Sequence, residues 1–522
     1  MTLLTLQLDH FADDPGVGWH LRTGEFIATY FQIPDYDPFL ATNVRRSWIS
    51  DQWLSDLMLY LINRSGGWAL NYGVFVIIYI LTFFAVLYAG IRKITGASLL
   101  AVVAAFLAFK LAELHFIFRA SMLGFFFFSY VYVLLYSLLK KLQRGGEEIT
   151  RSAAAIGLPK DKRLTASTEY WGADLWLAYA ILPILFVIWA NMHPSFILGL
   201  VLLFLAPISI ICDRLVRGRG SIPGARKKLL FLAVLCLLAT LINPYGLDLH
   251  SSIFSLGNST YFMSLHQEWM SPDFKLPEGE ITLIIFGLIG IGIFLGGSEK
   301  LRWGFFEFLL VAVFGYLGLK SVRMLPFFGI AASVPLVLAV HNLRSAYIFN
   351  GGLLKRFLEL LERVEARERS FSQGLLPFVV TFGIFCCSYF WGFLPLYSKP
   401  LGPSPEKYPY GALEKLENLG FPPQRATIFA PPEWGGFITL MGVGALKPVI
   451  DDRNSLLGEE FYKHFYNQSR PGTRFLPYVR SLGATHLLLN TSSPIIPWLQ
   501  SKGAREIYSD TVGTIFDVQE MQ

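Results

Sequence analysis

The sequence predicts a membrane all-α protein: a polytopic helical bundle of about ten spans with interfacial amphipathic helices, plus a small C-terminal extracytoplasmic α/β domain. Three observations lead there. Hydrophobic residues make up 53% of the 522 and charged residues only 16%, far from the balance of a soluble domain. Apolar windows long enough to cross a bilayer recur along most of the chain. Beyond residue 397 the composition turns to Pro, Gly and charge, with short apolar runs between turn signals.

The first 66 residues read as an extracytoplasmic arm. Residues 1–12 are too short to span and lack the basic start of a signal peptide. The arm is therefore expected to cross with the first span or behind an upstream helix. Asp14-Pro-Gly is turn chemistry. Residues 19–31 then suit an amphipathic helix, with Trp19, Thr23, Phe26, Ile27 and Tyr30 on one face and Arg22, Glu25 and Thr29 on the other, a pattern that fits a helix lying on the bilayer. A second such helix is expected from Ser50, with Asp51 in its first turn.

Residues 67–396 form the transmembrane domain. Windows of about 19 residues place spans near 67–91, 97–117, 120–139, 173–190, 196–212, 229–243, 281–297, 304–320, 325–341 and 375–396. The loops on one side carry 23 Lys and Arg, those on the other 8. The richer side is cytoplasmic by the positive-inside rule. The arm and the tail, 397–522, thus face outward from a cytoplasmic (inner) membrane. In the tail, the short apolar runs "ATIFA", "PVIDD", "THLLLN" and "GTIFDV" between turn signals read as an α/β domain, "PVIDDR" equally suiting a strand end and turn.

The net charge of +6 is spread over short cytoplasmic loops, where topology accounts for it, so nucleic acid is excluded as a partner. Of four cysteines, Cys236, Cys386 and Cys387 lie within apolar spans and Cys212 at the end of one, without CxxC spacing. They give neither a disulfide framework nor a metal site.

Ionisable groups at the edge of a bilayer cost about 2.5–3.5 kcal/mol on insertion scales, so those at the outward ends are the candidates for function. Asp14, Asp37 and Asp51 are candidate catalytic carboxylates: one of them removes a proton from an acceptor, or holds a divalent cation such as Mg or Mn against a phosphate. The plain alternative is that Asp14 starts a turn and Asp51 favours a helix N-terminus. His20, Arg22, Arg119, His193, His266, Glu268 and Arg323 are candidate substrate-binding residues. Snorkelling explains Lys320, and Lys110 and Glu113 form a pair three residues apart. Carboxylates, forked cations and aromatic rings beside lipid suit a substrate with an apolar tail and an anionic, sugar-bearing head.

The stretches "DPGVGWHLRTGE", "IPDYDPF", "WISDQWL", "WANMHPSFILGL", "INPYG", "EWMSP", "EWGGFITL" and "PVIDDRNSLLG" carry a resemblance over almost the whole chain. The protein resembles the GT-C superfamily of polyprenyl-phosphate-dependent glycosyltransferases, most closely a bacterial multispanning group related to it. The resemblance implies inverting transfer of a sugar from a polyprenyl-phosphate donor to an acceptor (glycan, lipid or protein) on the outer face, with an Asp of the first outward loop as base. The matching position is Asp14. Members often carry a second acid two residues later, and a span before the loop. This sequence has Gly16 at the former place and no such span. Two other readings stand beside it: a transporter or flippase for a lipid-linked or anionic substrate, with ionisable residues deep in the spans, and a non-catalytic scaffold subunit whose tail binds a partner.

Overall fold

The computed structural model describes residues 10–41, 46–155, 172–217, 224–296, 303–345, 401–418 and 426–518, together with residues 360 and 363. Among these, seven helices are long and apolar enough to cross a membrane: Trp53–Thr95, Ser98–His115, Ser121–Leu142, Leu175–Met192, Phe196–Val216, Pro277–Phe294 and Val322–Asn342. Helices also occupy two more of the expected spans, Ala225–Ala239 and Phe305–Lys320, but at 15 and 16 residues they fall short of a full crossing. The expected span at 375–396 lies outside the described residues. Against the expected ten or so, the described residues thus hold seven full-length candidates.

The arm departs from expectation in a way that matters for function. Helix α1 (Val17–Tyr30) forms where the pattern places it, and ends at Phe31 with φ 54. Much of it is covered by protein: Val17, Gly18, Trp19, His20, Leu21, Thr23, Gly24 and Ile27 are all buried, while Tyr30 and Phe31 stay exposed. Protein covers it on two sides, the first spanning helix α2 (Trp53–Ile80) and a tail helix, Pro432–Met441. Glycines allow the approach. A Cβ on Gly18 would sit 1.6 Å from the Gly436 carbonyl oxygen, and one on Gly24 2.2 Å from that of Asp56. The second expected interfacial helix is the start of α2, which begins at Trp53 and takes Asp56, not Asp51, into its first turn. A break at Gly66 and Gly67, the latter at φ 61, separates that start from the membrane-crossing run.

The beginning of the arm is pinned into the bundle by Phe11. Its ring packs 5.0–5.9 Å from Tyr72, Phe75, Phe116 and Phe118, and its carbonyl accepts from the Phe118 N–H. Such aromatic pairs contribute about 0.5–1.5 kcal/mol each beyond area burial.

The tail is the expected small α/β domain. Its five-stranded sheet has the order β2-β1-β3-β5-β4, with β1 Ala426–Phe429, β2 Leu446–Pro448, β3 His486–Asn490, β4 Glu506–Ser509 and β5 Gly513–Asp517. Strand β1 runs parallel to β2 and β3, and β5 antiparallel to β3 and β4. "PVIDD" forms the end of β2 and the turn that leaves it, one of the two forms the sequence allows. That turn faces the arm. Arg453 pairs with Asp37 of the arm at 2.8 Å and with Asp451 at 2.6 Å, its guanidinium 4.6 Å from the centre of the Trp48 ring. Nearby, the Tyr408 hydroxyl donates to the Asp13 carbonyl and the Ser404 N–H to its carboxylate.

Candidate functional site

Four helix connections open at one end of the bundle: Glu113–Ala120, Asn191–Ser195, the segment from Thr240 to Leu276, and Ser321–Arg323. The arm lies across this end, held by Phe11 and by α1. The charged residues of the connections meet the arm there.

Asp14 is 2% exposed. One carboxylate oxygen accepts the Gly16 N–H at 2.8 Å, closing the Asp-Pro-Gly turn. The other meets Arg119 Nη2 at 2.8 Å. Arg119 Nη1 donates to both oxygens of Glu268, at 3.1 and 3.3 Å, and Arg323 Nη1 reaches Glu268 at 2.5 Å. One guanidinium therefore joins an acid of the arm to an acid of the segment from Thr240 to Leu276. Burial pushes Glu268 up, but Arg323 and Arg119 outweigh it and hold its carboxyl well below the usual range. Burial likewise opposes the charge on Arg119, and Asp14, Glu268 and Asp452 restore it. Arg323 spends only Nη1 on a hydrogen bond among the described residues, with Trp269 4.8 Å from its guanidinium. Its remaining forked donors suit a phosphate.

Two histidines stand beside this chain. His20 Nδ1 bonds Asp56 at 2.6 Å, and the Trp19 ring lies 3.7 Å from its ring. Burial works against the imidazolium of His20, but Asp56 and Asp14 raise its pKa over that cost. His193 is held by Ser195, whose hydroxyl is 2.8 Å from Nδ1. Burial first, then Arg323, Arg119 and His20, lower it well below its ordinary value, so it is a neutral ring at pH 7. Asp51 is pushed up to about 6 by burial and by Asp56, against the pull of His20 and Arg323.

The structure thus gathers Asp14, His20, Asp51, Arg119, His193, Glu268 and Arg323 into one electrostatic neighbourhood. Asp37 and Arg22 are employed elsewhere, and His266, bonded to the tail, also bears on the charge of Glu268. Asp37 accepts from the Phe39 and Leu40 N–H groups and holds Arg453. Arg22 donates to the Thr439 and Leu440 carbonyls and to Glu25, fastening α1 to the tail. His266 accepts from the Asn454 side-chain amide of the tail.

Asp56 and His115 escaped the sequence reading, and Asp452 stood there only as a notable polar residue of the tail. Asp56 is fully buried, and its second oxygen has no hydrogen-bond partner among the described residues. His115 is 7% exposed, its Nε2 equally unpartnered, beside Glu268, Arg323 and Arg119. The edge-of-span criterion that selects Arg119 selects His115 four residues earlier. Asp452 comes from the tail and accepts the Trp19 indole N–H at 2.8 Å.

Among the described residues no three His, Cys, Asp or Glu side chains gather to hold a metal ion. The acids in the cluster turn to guanidinium groups instead, Asp14 to Arg119 and Glu268 to both arginines.

Comparison with known proteins gives no match to any protein-family model and none to a curated protein. Among solved structures, the chain is similar to the oligosaccharyltransferase AglB of the archaeon Archaeoglobus fulgidus, in complex with an inhibitory peptide and a dolichol-phosphate. The identity is 12%, the similarity covers 98% of this chain and 71% of that one, and the TM-score is 0.46. The apo form of an oligosaccharyltransferase from the same organism gives 12% identity, 98% and 71% coverage and a TM-score of 0.44. The form tethered to an acceptor peptide with the NVT sequon gives 13%, 97% and 70%, and 0.45.

Proposed function

We propose that this protein is a membrane glycosyltransferase that moves a sugar from a polyprenyl-phosphate donor to an acceptor at the outward end of its helical bundle, with Asp14 as the base. The observation that carries the reading is the ion-pair chain Asp14–Arg119–Glu268–Arg323, which sets a buried carboxylate beside two forked cations where helix ends leave the apolar region.

A lipid phosphate diester carries one negative charge, and the phosphate monoester it becomes carries two. Cations fixed at the leaving oxygen therefore stabilise the transition state more than the bound donor. Arg323, with donors to spare, takes the phosphate first. As the phosphate draws on Arg119, that guanidinium shares less of itself with Asp14, whose carboxylate becomes a stronger base. Asp14 then accepts the proton of the acceptor hydroxyl or amide as the acceptor atom bonds to the anomeric carbon. The bond from that carbon to the phosphate oxygen breaks, its electron pair leaving with the phosphate. A single displacement of this kind inverts the anomeric centre. Met270 and Phe274, exposed just beyond Glu268, offer apolar surface for the polyprenyl chain.

The test is turnover. Purified protein in lipid is incubated with radiolabelled polyprenyl-phosphate sugars and a mixture of glycan, lipid and peptide acceptors. Wild type is expected to transfer label, and Asp14→Asn to lose about 10²-fold or more, the usual range for a general base. Absence of transfer from every donor would refute the enzyme reading, and undiminished transfer by Asp14→Asn would refute the assigned base.

A further inference from the structure

The connection Asn191–Ser195 is held from two sides. The Leu54 N–H donates to the Asn191 carbonyl, the Trp53 indole to the Asn191 side chain and the Ser55 hydroxyl to the Met192 carbonyl. The connection is thus seated on the turn of α2 that carries Asp56, the partner of His20. On its other side lies the span Ser121–Leu142, which follows Arg119. A Cβ on Gly124 of that span would sit 2.2 Å from Ser195 Oγ and 3.2 Å from His193 Nδ1, so a side chain there would displace the serine.

Three bonds decide where the His193 ring carries its proton. Trp189 Nε1 donates to Ser195 Oγ at 3.0 Å, which leaves the hydroxyl's own hydrogen for His193 Nδ1, 2.8 Å away. The Ser195 N–H donates to the same nitrogen at 3.1 Å. Nδ1 receives from both and has no hydrogen of its own, so the neutral ring holds its one proton on Nε2. A second proton, on Nδ1, would face the Ser195 N–H head-on. Burial, Arg323, Arg119 and His20 oppose that proton as well, with Glu268 pulling the other way. Nε2 makes no hydrogen bond among the described residues.

We infer that His193 is a locked neutral donor whose Nε2–H binds a phosphate oxygen of the lipid-linked donor, a contact beside Arg119 and Arg323 that adds no charge. A phosphate oxygen accepts from a neutral N–H as well as from a guanidinium. A third cation would grip the dianionic product more tightly than the monoanionic donor, whereas a neutral donor orients the phosphate and lets the product go. His193 is a binding residue that keeps its proton throughout, and Ser195 and Trp189 position it.

The ligand given to Nε2 rests on the transfer reading; the locked tautomer does not. Nitrogen NMR of protein carrying isotope-labelled histidine, with His193→Gln as the difference that isolates one ring among nine, should show a proton on Nε2 and none on Nδ1 from pH 6 to 8. A proton on Nδ1 in that range overturns the locked donor. Polyprenyl phosphate added in nanodiscs should move the Nε2 resonance. A shift that inorganic phosphate produces equally at the same concentration would overturn the lipid as its source. His193→Ala should weaken polyprenyl phosphate at least about tenfold, as for a hydrogen bond to a charged group, by the same factor at low and high salt because no charge is lost. His193→Gln, which keeps an N–H donor of similar reach, should restore most of that affinity. Polyprenyl phosphate that binds without moving Nε2, or equally to wild type and His193→Ala, overturns the contact and leaves the transfer reading in place. If wild type binds no polyprenyl phosphate, the transfer reading fails and takes the contact with it, and the spectrum alone decides the locked donor.

Discussion

Asp51 sets a residue-scale expectation that needs no substrate. Its carboxyl is raised to about 6 by burial and by Asp56, above its value in the unfolded chain. A raised acid favours the folded state most below its unfolded pKa, and that contribution is lost as pH rises through the folded value. Wild type should therefore lose stability between pH 4 and 7, and Asp51→Asn should gain about 2 kcal/mol relative to wild type at pH 8, read from thermal unfolding in detergent. Identical pH profiles for the two proteins would contradict the environment assigned to Asp51. At this scale the sequence is informative where a charge sits at the edge of an apolar run, because its cost there calls for a partner. Asp14, Arg119, Glu268 and Arg323 are all legible on that ground. The identity of the partner is not. Arg22 and Asp37 look like ligands until the Leu440 carbonyl and Arg453 are seen to occupy them, and Asp452 gains its meaning from a contact 433 positions away.

Helix α1 is the element on which the site turns. Its pattern gives its existence and nearly its limits, since 19–31 was expected and Val17–Tyr30 forms. Amphipathicity does not say what covers each face, and here the tail and the bundle cover much of α1. The close contact at Gly18 makes this testable. A methyl group there meets the Gly436 carbonyl oxygen at 1.6 Å, so Gly18→Ala must push α1 from the tail, at a cost of about 1–3 kcal/mol. The expected result is a C-terminal domain cleaved by protease several-fold faster than in wild type, with the membrane bundle intact. Unchanged cleavage would mean that the tail is not held through α1. Helix α2 teaches a similar lesson. Its first turns are polar enough to read as a separate surface helix, and the break at Gly66 and Gly67 shows why one helix carries both characters.

At the scale of the whole molecule, alternate loops differ in basic charge, and that difference puts the arm, the tail and four helix connections on one side before any coordinate is known. The structure brings all of them to a common end. The bundle and the α/β tail were legible in composition and in the change of period from helix to strand. Their joint was not, because ion pairs such as Arg453–Asp37 and hydrogen bonds such as Trp19–Asp452 leave no local pattern.

The central claim is that the arm acid and the two remote arginines form one site for a lipid phosphate, and binding tests it most directly. Polyprenyl phosphate should bind purified wild type in nanodiscs saturably and in competition with inorganic phosphate, and the double substitution Arg119→Gln, Arg323→Gln should weaken it at least about 100-fold, as expected for two charge-assisted contacts of about 1.5–3 kcal/mol each. Equal affinity in wild type and the double variant would contradict the account.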